Sequence, residues 1–454
     1  MVLHMQKNAT FCIKTFGGIP DGMTLNTAAF TDAFSVIKKS GGGILMVEKG
    51  VWLTGPLELP DHCTLFLDTE AVLKFVPDVS LYPPVKTRWE GADCYCFHPL
   101  IFSHDAEDIE ICGTGTIDGT GEYWWNMIRE KRKRQVGPET SEELKLAALN
   151  PGYRNVQGGG GGRELQFLRP PLINFYKCTG VRIQDVTVTN SPFWNIHPVL
   201  CNEVLIRHVT VIDPFDAPNT DGIDIDSCRN VIIEDCTVSV GDDGIALKSG
   251  IIPGNLANPT VNVYVRNCTV NHAHGGIVIG SDMSGGVYNG VVEDCKFHGT
   301  NWGIRIKSRR SRGGTIRNLL FRRLTMKDNL CPFVINMFYS CGSNLSSGYF
   351  GQEKHPITNE TPSVSMVELE DITAEGSKAS AGFIAGLPEA PISGLVIKDC
   401  LFGVDTKSKI LPAESELCLG VPDTQEKGFR IFNVDNPVFE NVQITGTAKP
   451  FVLK

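Results

Sequence analysis

From residue 181 onward, apolar side chains recur in one spaced pattern, apolar-x-apolar-x-x-apolar-x-apolar. It is carried by Val181/Ile183/Val186/Val188, Val204/Ile206/Val209/Val211, Val231/Ile233/Cys236/Val238 and Val263/Val265/Cys268/Val270. Leu319/Phe321/Leu324/Met326, Val367/Leu369/Ile372/Ala374 and Leu395/Ile397/Cys400/Phe402 repeat it, with Gly290/Val292/Cys295/Phe297 as a weakened copy. Starts at 181, 204, 231, 263 and 290 lie 23, 27, 32 and 27 residues apart, the length of one supersecondary unit, so the chain is a solenoid. A second apolar strand opens in each unit at Gly222-Ile223, Gly244-Ile245, Gly276-Ile277 and Gly303-Ile304, with Asn195-Ile196 in the same slot one unit earlier. Leucine-rich repeats have similar periods but need a Leu consensus that this chain lacks. The pattern predicts an all-β fold, a right-handed parallel β-helix of about ten turns, as a single domain over 1–454 with at least two strands per turn.

Two segments break the period. Phe30, Ala33, Phe34 and Ile37 fall on one helical face before Gly41-Gly42-Gly43, which predicts a helix over 26–40 that caps the open N-terminal sheet edge. Residues 120–168 form an insertion with an aromatic start (Tyr123, Trp124, Trp125), a charged run from Lys131 to Arg134 and five glycines at 158–162. The glycine run follows no strand and opens no helix, so it is not a dinucleotide fingerprint, and the Lys-Arg run reads as a solvated helical face. Cys178, Cys201 and Cys228 lie three residues before repeat starts, while Cys236, Cys268, Cys295 and Cys400 share another repeat position. These are two inward ladders of core thiols; the count of 15 is odd, and a disulfide or metal framework is not expected.

Composition narrows the class further. Hydrophobic residues at 42% against 20% charged support a large core, and the net charge of −9 argues against general nucleic-acid binding. No apolar run reaches the length of a membrane span, and the first residues lack the apolar stretch of a signal peptide, so a cytoplasmic location is expected.

Aligning the units on their Gly-Ile strands brings scattered polar residues into one row. Asp221 precedes Gly222, Asp242 and Asp243 precede Gly244, and His274 lies two before Gly276; Arg305 follows Ile304, with Lys307 two further on. Adjacent rungs of a parallel sheet are about 4.8 Å apart, so Asp221 and Asp243 are expected to stack, with His274 beside Asp242. Strand alternation turns Arg305 and Lys307 away from the core that Ile304 and Ile306 face. Each Asp-Gly or His-Gly is by itself an ordinary turn sequence. Stacked like charges are destabilising, however, and three carboxylates on consecutive rungs imply a shared proton, a cation or a reacting substrate. Nine Arg or Lys and no Asp or Glu between Asn301 and Lys327 point to an anionic ligand.

With these residues in view, the chain resembles the polygalacturonases, family 28 of the glycoside hydrolases. Four signatures stand in the family's order: Asn219-Thr220-Asp221-Gly222, Gly241-Asp242-Asp243, His274-Gly275 and Arg305-Ile306-Lys307. FGGIPDG, YPPVKTRWEG, GTGTIDGTGEYWW, SPFWNIHPV and GSDMSGGV resemble the bacterial exo-acting branch. Ala273 departs from the Gly or Ser usual before the His. The resemblance implies hydrolysis of α-1,4-galacturonosidic bonds in polygalacturonate or its oligomers, with inversion and exo action, and without cofactor or metal. It implies Asp242 as general acid, Asp221 and Asp243 as holders of the attacking water, and His274 as tuner of Asp242 or partner of a sugar hydroxyl. Arg305 and Lys307 would grip the substrate carboxylate, with Asn219 and Tyr339 in contact with the sugar. Trp194 and His197 either extend the groove or pack a strand edge.

Other readings share parts of this pattern. Rhamnogalacturonan or xylogalacturonan hydrolysis would use the same residues. A Ca²⁺-dependent pectate lyase would place the metal on Asp221, Asp242 and Asp243 and use Arg305 as base. A non-catalytic β-helix would bind acidic glycans through the basic groove. The partner in every case is a galacturonate-containing or other acidic saccharide, with neither nucleic acid nor membrane; oligomeric state is not legible.

Overall fold

The computed structural model describes residues 9–156, 162–252, 258–341, 347–418 and 421–453. The opening residues 1–8 and glycines 158–161 of the glycine run lie outside them. The fold is the right-handed parallel β-helix. Where the sequence pattern suggests one domain, the contacts separate two compact units: 1–224 with 228–237, and 225–227 with 238–454. Each turn of a solenoid contacts only its neighbours, so such a boundary can fall between any two turns.

In the first unit the repeats stack in register, Val181 against Val204 against Val231 and Ile183 against Ile206 against Ile233, along parallel strands Thr179–Gln184, Asn202–Arg207 and Arg229–Glu234. The second apolar pair of each repeat forms its own short strand, Thr187–Thr189 beside Thr210–Ile212. A third strand per turn builds a separate sheet, Ile101–His104, Ile173–Tyr176 and Ile196–Val199. The second unit keeps the register, Val263 against Gly290, Leu319, Val367 and Leu395, but the last three of these repeats each run as one strand, Thr315–Lys327, Ser363–Ser377 and Ile392–Val404. Its other sheet runs Ile245–Lys248, Gly275–Gly280, Trp302–Lys307 and Cys331–Asn336. At Gly290 an added Cβ would sit 2.8 Å from the Leu319 side chain, which accounts for the weakened copy.

The two-residue gap inside the repeat has a backbone cause. Its fifth position is left-handed in every copy, at Asp185, His208, Asp235, Asn267, Asp294, Arg323, Asp371 and Asp399, with φ between +51° and +65°. One such residue breaks the strand alternation and returns the next apolar side chain to the interior. Asp and Asn fill most of these sites because their short polar side chains tolerate the conformation. The residue before several repeats is also left-handed, and there Asn262, Asn289 and Asn318 form a ladder, Asn289 donating to Asn262 at 3.2 Å and Asn318 to Asn289 at 2.8 Å.

Helix α1, Thr27–Lys39, buries Ala29, Phe30, Ala33, Phe34 and Ile37 against strands Gly43–Val47, Leu57–Glu58 and Cys63–Leu67. The thiol ladders are buried, with Cys178 and Cys201 backbone N–H groups donating to the sulfurs of Cys201 and Cys228, both at 3.4 Å. The insertion carries helices α2, Glu122–Arg134, and α3, Ser141–Leu149. Here the solvated-face reading of the Lys-Arg run needs correction. Lys131 is 4% exposed and donates to Glu143 at 2.9 Å, and Arg132 reaches Glu164 and Asn219, whereas Lys133 and Arg134 do face solvent. Among the described residues, no helix is long and apolar enough to cross a membrane.

Candidate active site

In the second unit, the turn Gly241-Asp242-Asp243 leads into strand Ile245–Lys248, and the His274 turn leads into Gly275–Gly280 on the next rung. The His274 backbone N–H donates to the Asp242 carbonyl at 2.8 Å, which fixes the two turns side by side. Their side chains then meet, His274 Nδ1 lying 3.0 Å from Asp242 Oδ1. The same carboxylate oxygen accepts from the Asp243 backbone N–H at 3.0 Å. Gly275 keeps the turn tight, since a Cβ there would lie 2.3 Å from Val278 Cγ2.

The neighbouring carboxylate has a different partner. Lys307 Nζ donates to Asp243 Oδ2 at 2.7 Å, with the lysine side chain 8% exposed and the aspartate 2%. Asp243 Oδ1 is buried with no hydrogen-bond donor among the described residues. Lys307 is therefore committed to a carboxylate as well as being a cation on the groove strand. Arg305 is not solvated either. Its guanidinium lies 3.6 Å from the Trp302 ring centroid and 5.1 Å from that of Tyr339, and Lys307 Nζ lies 5.4 Å from the Tyr339 ring. The aromatic pair holds a desolvated guanidinium by cation–π attraction and sets its plane. Tyr339, which no sequence motif anchors, thus lies beside both cations, and burial pushes its phenol pKa up. Trp302 is a member of the site that sequence reasoning passed over; the signal was an aromatic three residues before the Arg on the same strand.

Electrostatics separate the two carboxylates. Burial alone would push the Asp242 carboxyl up, but the hydrogen bond and charge of His274, with Lys307 and Lys248, outweigh it and hold Asp242 below the ordinary carboxylate range. Burial likewise pushes the His274 imidazole down, but its bond to Asp242 and the charges of Asp242 and Asp243 raise it overall. Asp242 and His274 are hydrogen-bonded to one another, so the pair titrates as a unit. A raised imidazole pKa means that the imidazolium is present below the usual histidine range and is lost as pH rises through the raised value. Activity carried by the pair is accordingly expected to fall on the alkaline side. In His274→Gln that limb should move to lower pH, with kcat at neutral pH down about 10–100-fold, as read from pH–rate profiles of both proteins. An unmoved alkaline limb would assign it to another group.

In the first unit, Asp221 is 3% exposed, and its backbone carbonyl accepts from Asn195 N at 2.9 Å and Asn195 Nδ2 at 3.1 Å. Asn219 Oδ1 accepts from Arg132 Nη2 at 2.8 Å and Arg169 Nη2 at 2.9 Å. That oxygen is thus a structural acceptor for two guanidinium groups. Trp194 and His197 are 3% and 0% exposed; Trp194 stacks on Phe193, with ring centroids 4.9 Å apart, which favours packing over groove extension.

Comparison with known proteins follows the same residues. Residues 154–416 match the family described as Glycosyl hydrolases family 28, a span that holds all eight candidate site residues. A probable polygalacturonase of Vitis vinifera is 34% identical over 409 residues, covering 87% of this chain and 75% of its own length. An endo-polygalacturonase of Pectobacterium parmentieri is 26% identical over 340 residues, 72% of this chain and 71% of its own. Among solved structures, a hyperthermoactive exopolygalacturonase from Thermotoga maritima superposes with a TM-score of 0.76 at 29% identity, covering 98% of this chain and 93% of that one.

Proposed function

Since the chain belongs to the family 28 glycosyl hydrolases, we propose that it hydrolyses α-1,4-galacturonosidic bonds in polygalacturonate or its oligomers, with inversion and from the chain end. The observation that carries this reading is the unequal partnering of two adjacent carboxylates, Asp242 with a titratable imidazole and Asp243 with a permanent cation. Asp242 thus has a partner with which it can exchange a proton, whereas Asp243 is held by the Lys307 ammonium.

Asp242 and His274 share a hydrogen bond along which a proton can move. A sugar that displaces water from the pair disfavours its charge-separated form, so the proton passes to the carboxyl and from there to the leaving oxygen. Asp243, hydrogen-bonded to Lys307 through Oδ2, offers its buried Oδ1 to the attacking water; the resemblance adds Asp221 to that task. Arg305, held beside the rings of Trp302 and Tyr339, takes the galacturonate carboxylate. Lys307 on Asp243 and His274 on Asp242 also neutralise two of the three carboxylates that a pectate-lyase reading needs for Ca²⁺.

Exo action is supported by the exopolygalacturonase at 29% identity and by an insertion that is ordered around buried ion pairs. On polygalacturonate, reducing ends are expected to accumulate as monogalacturonate while viscosity falls slowly. A steep viscosity fall at low conversion, with mixed oligomers as first products, would establish endo action.

A further inference from the structure

Two arginines meet the Asn219-Thr220-Asp221 turn from outside the repeat, and Glu164 joins them. Glu164 and Arg169 are both fully buried; Arg169 donates from Nε and Nη2 to the two Glu164 oxygens at 3.1 and 2.9 Å, and Arg132 of α2 pairs with the same carboxylate. Both guanidinium groups then converge on Asn219 Oδ1, and Arg169 Nη1 also donates to the Pro218 carbonyl at 2.8 Å and the Pro192 carbonyl at 3.0 Å. Asn219 itself is left-handed, with φ +56°. On the far side of the turn, Asn195 holds the Asp221 carbonyl and is itself oriented by the buried Asp213, whose Oδ2 accepts from Asn195 Nδ2 at 2.5 Å and whose Oδ1 accepts from the Ser191 backbone N–H at 2.9 Å.

The turn lies between strands and has no ladder of its own, so its position depends on side chains. An Arg–Glu–Arg group whose Glu164 and Arg169 are fully buried is a poor way to gain stability, because packed apolar residues of similar volume serve as well or better. Glu164 further sits in a run of four left-handed residues, Arg163 to Gln166, with φ between +50° and +64°, a conformation that persists only where the surroundings enforce it. The chain thus tolerates two unfavourable features to bring a carboxylate under the Asn219 clamp.

We propose that Arg132, Glu164 and Arg169 are positioning residues that fix the Asp221 carboxylate for the attacking water, so that the insertion is part of the catalytic apparatus. This rests on the reading of Asp221 as one of the residues that hold that water. A displacement of about 1 Å at such a group costs on the order of 10²-fold in rate, so partial loosening is felt mainly in kcat.

The test uses Arg132→Gln, at the partly exposed end of the clamp, alone and combined with Asp221→Asn, on trigalacturonate. Alone it is expected to lower kcat about 10–30-fold with KM within about twofold; in the Asp221→Asn background the further loss should shrink below about twofold. Equal factors in both backgrounds, or an effect on KM alone, would overturn the proposal. Hydrogen exchange gives a reading that needs no turnover: amides of Thr220 to Gly222 should exchange about tenfold faster in the variant, with strand Ile173–Tyr176 unchanged. Unchanged exchange at the turn, or faster exchange throughout, would overturn it as well. Glu164→Gln, which keeps the shape but removes the charge, is expected to give the same pattern if Arg132→Gln folds poorly. Wild-type protein inactive on every galacturonide would instead refute the hydrolase reading, so the two failures are distinguishable.

Discussion

Asp242→Asn is expected to lower kcat on galacturonide oligomers by about 10³–10⁴-fold, near the upper end of what a positioned general acid contributes. An amide cannot carry the proton that the pair passes to the leaving oxygen, although its Oδ1 can still accept from His274 and from the Asp243 backbone N–H. Because Asp242 is partly exposed and its backbone contacts are kept, the melting temperature should change by no more than a few degrees. The pair also predicts a change in His274: without the carboxylate the imidazole loses its main reason for a raised pKa and should titrate nearer or below the usual value, which the histidine NMR signals report directly. Retention of more than about a tenth of wild-type activity would remove Asp242 from the acid role.

Lys307→Met is expected to have the next largest effect, and of a kind that a substrate-gripping lysine alone would not produce. Its ammonium neutralises Asp243, and both side chains are buried. Removing one partner of such a pair leaves an uncompensated charge that costs about 3–5 kcal/mol, unless the carboxylate takes up a proton. A protonated Asp243 cannot accept one from water. The expected result is a loss of about 10³ in kcat together with a higher KM for charged substrates and a lower melting temperature, with activity partly recovered as pH rises and the carboxylate ionises again. A change in KM only, at unaltered stability, would mean that Lys307 serves the sugar carboxylate and not Asp243.

The solenoid was legible because its signal is repeated. One weak apolar motif says little, but eight in register specify a stack, and the same alignment brought Asp242 beside His274 without any structural information. What the spacing could not show was why two positions per repeat are skipped, since a single left-handed residue such as Asp185 or Asn267 reads as an ordinary polar turn residue. Depth was also illegible for charged residues. Lys131 and Lys133 are two apart in one helical run, yet one is buried on Glu143 and the other faces solvent; the difference is set by α3, which arrives from later in the chain. Lys307 and Arg305 likewise read as surface cations because alternation tells only which way a strand residue points, while Asp243, Trp302 and Tyr339 decide what it meets there. The Arg132–Glu164–Arg169 clamp combines three residues with no common spacing, and only the folded insertion brings them to Asn219.

In the proposed reaction, a proton passes from the Asp242–His274 pair while water held at Asp243 attacks the far face of the sugar. Proton NMR of the first product formed from trigalacturonate, in the presence of a metal chelator, observes it directly. Saturated galacturonate appearing first as the β-anomer, and only later equilibrating to the α-form, is the predicted result. First appearance of the α-anomer, or unsaturated products whose formation the chelator abolishes, would contradict it.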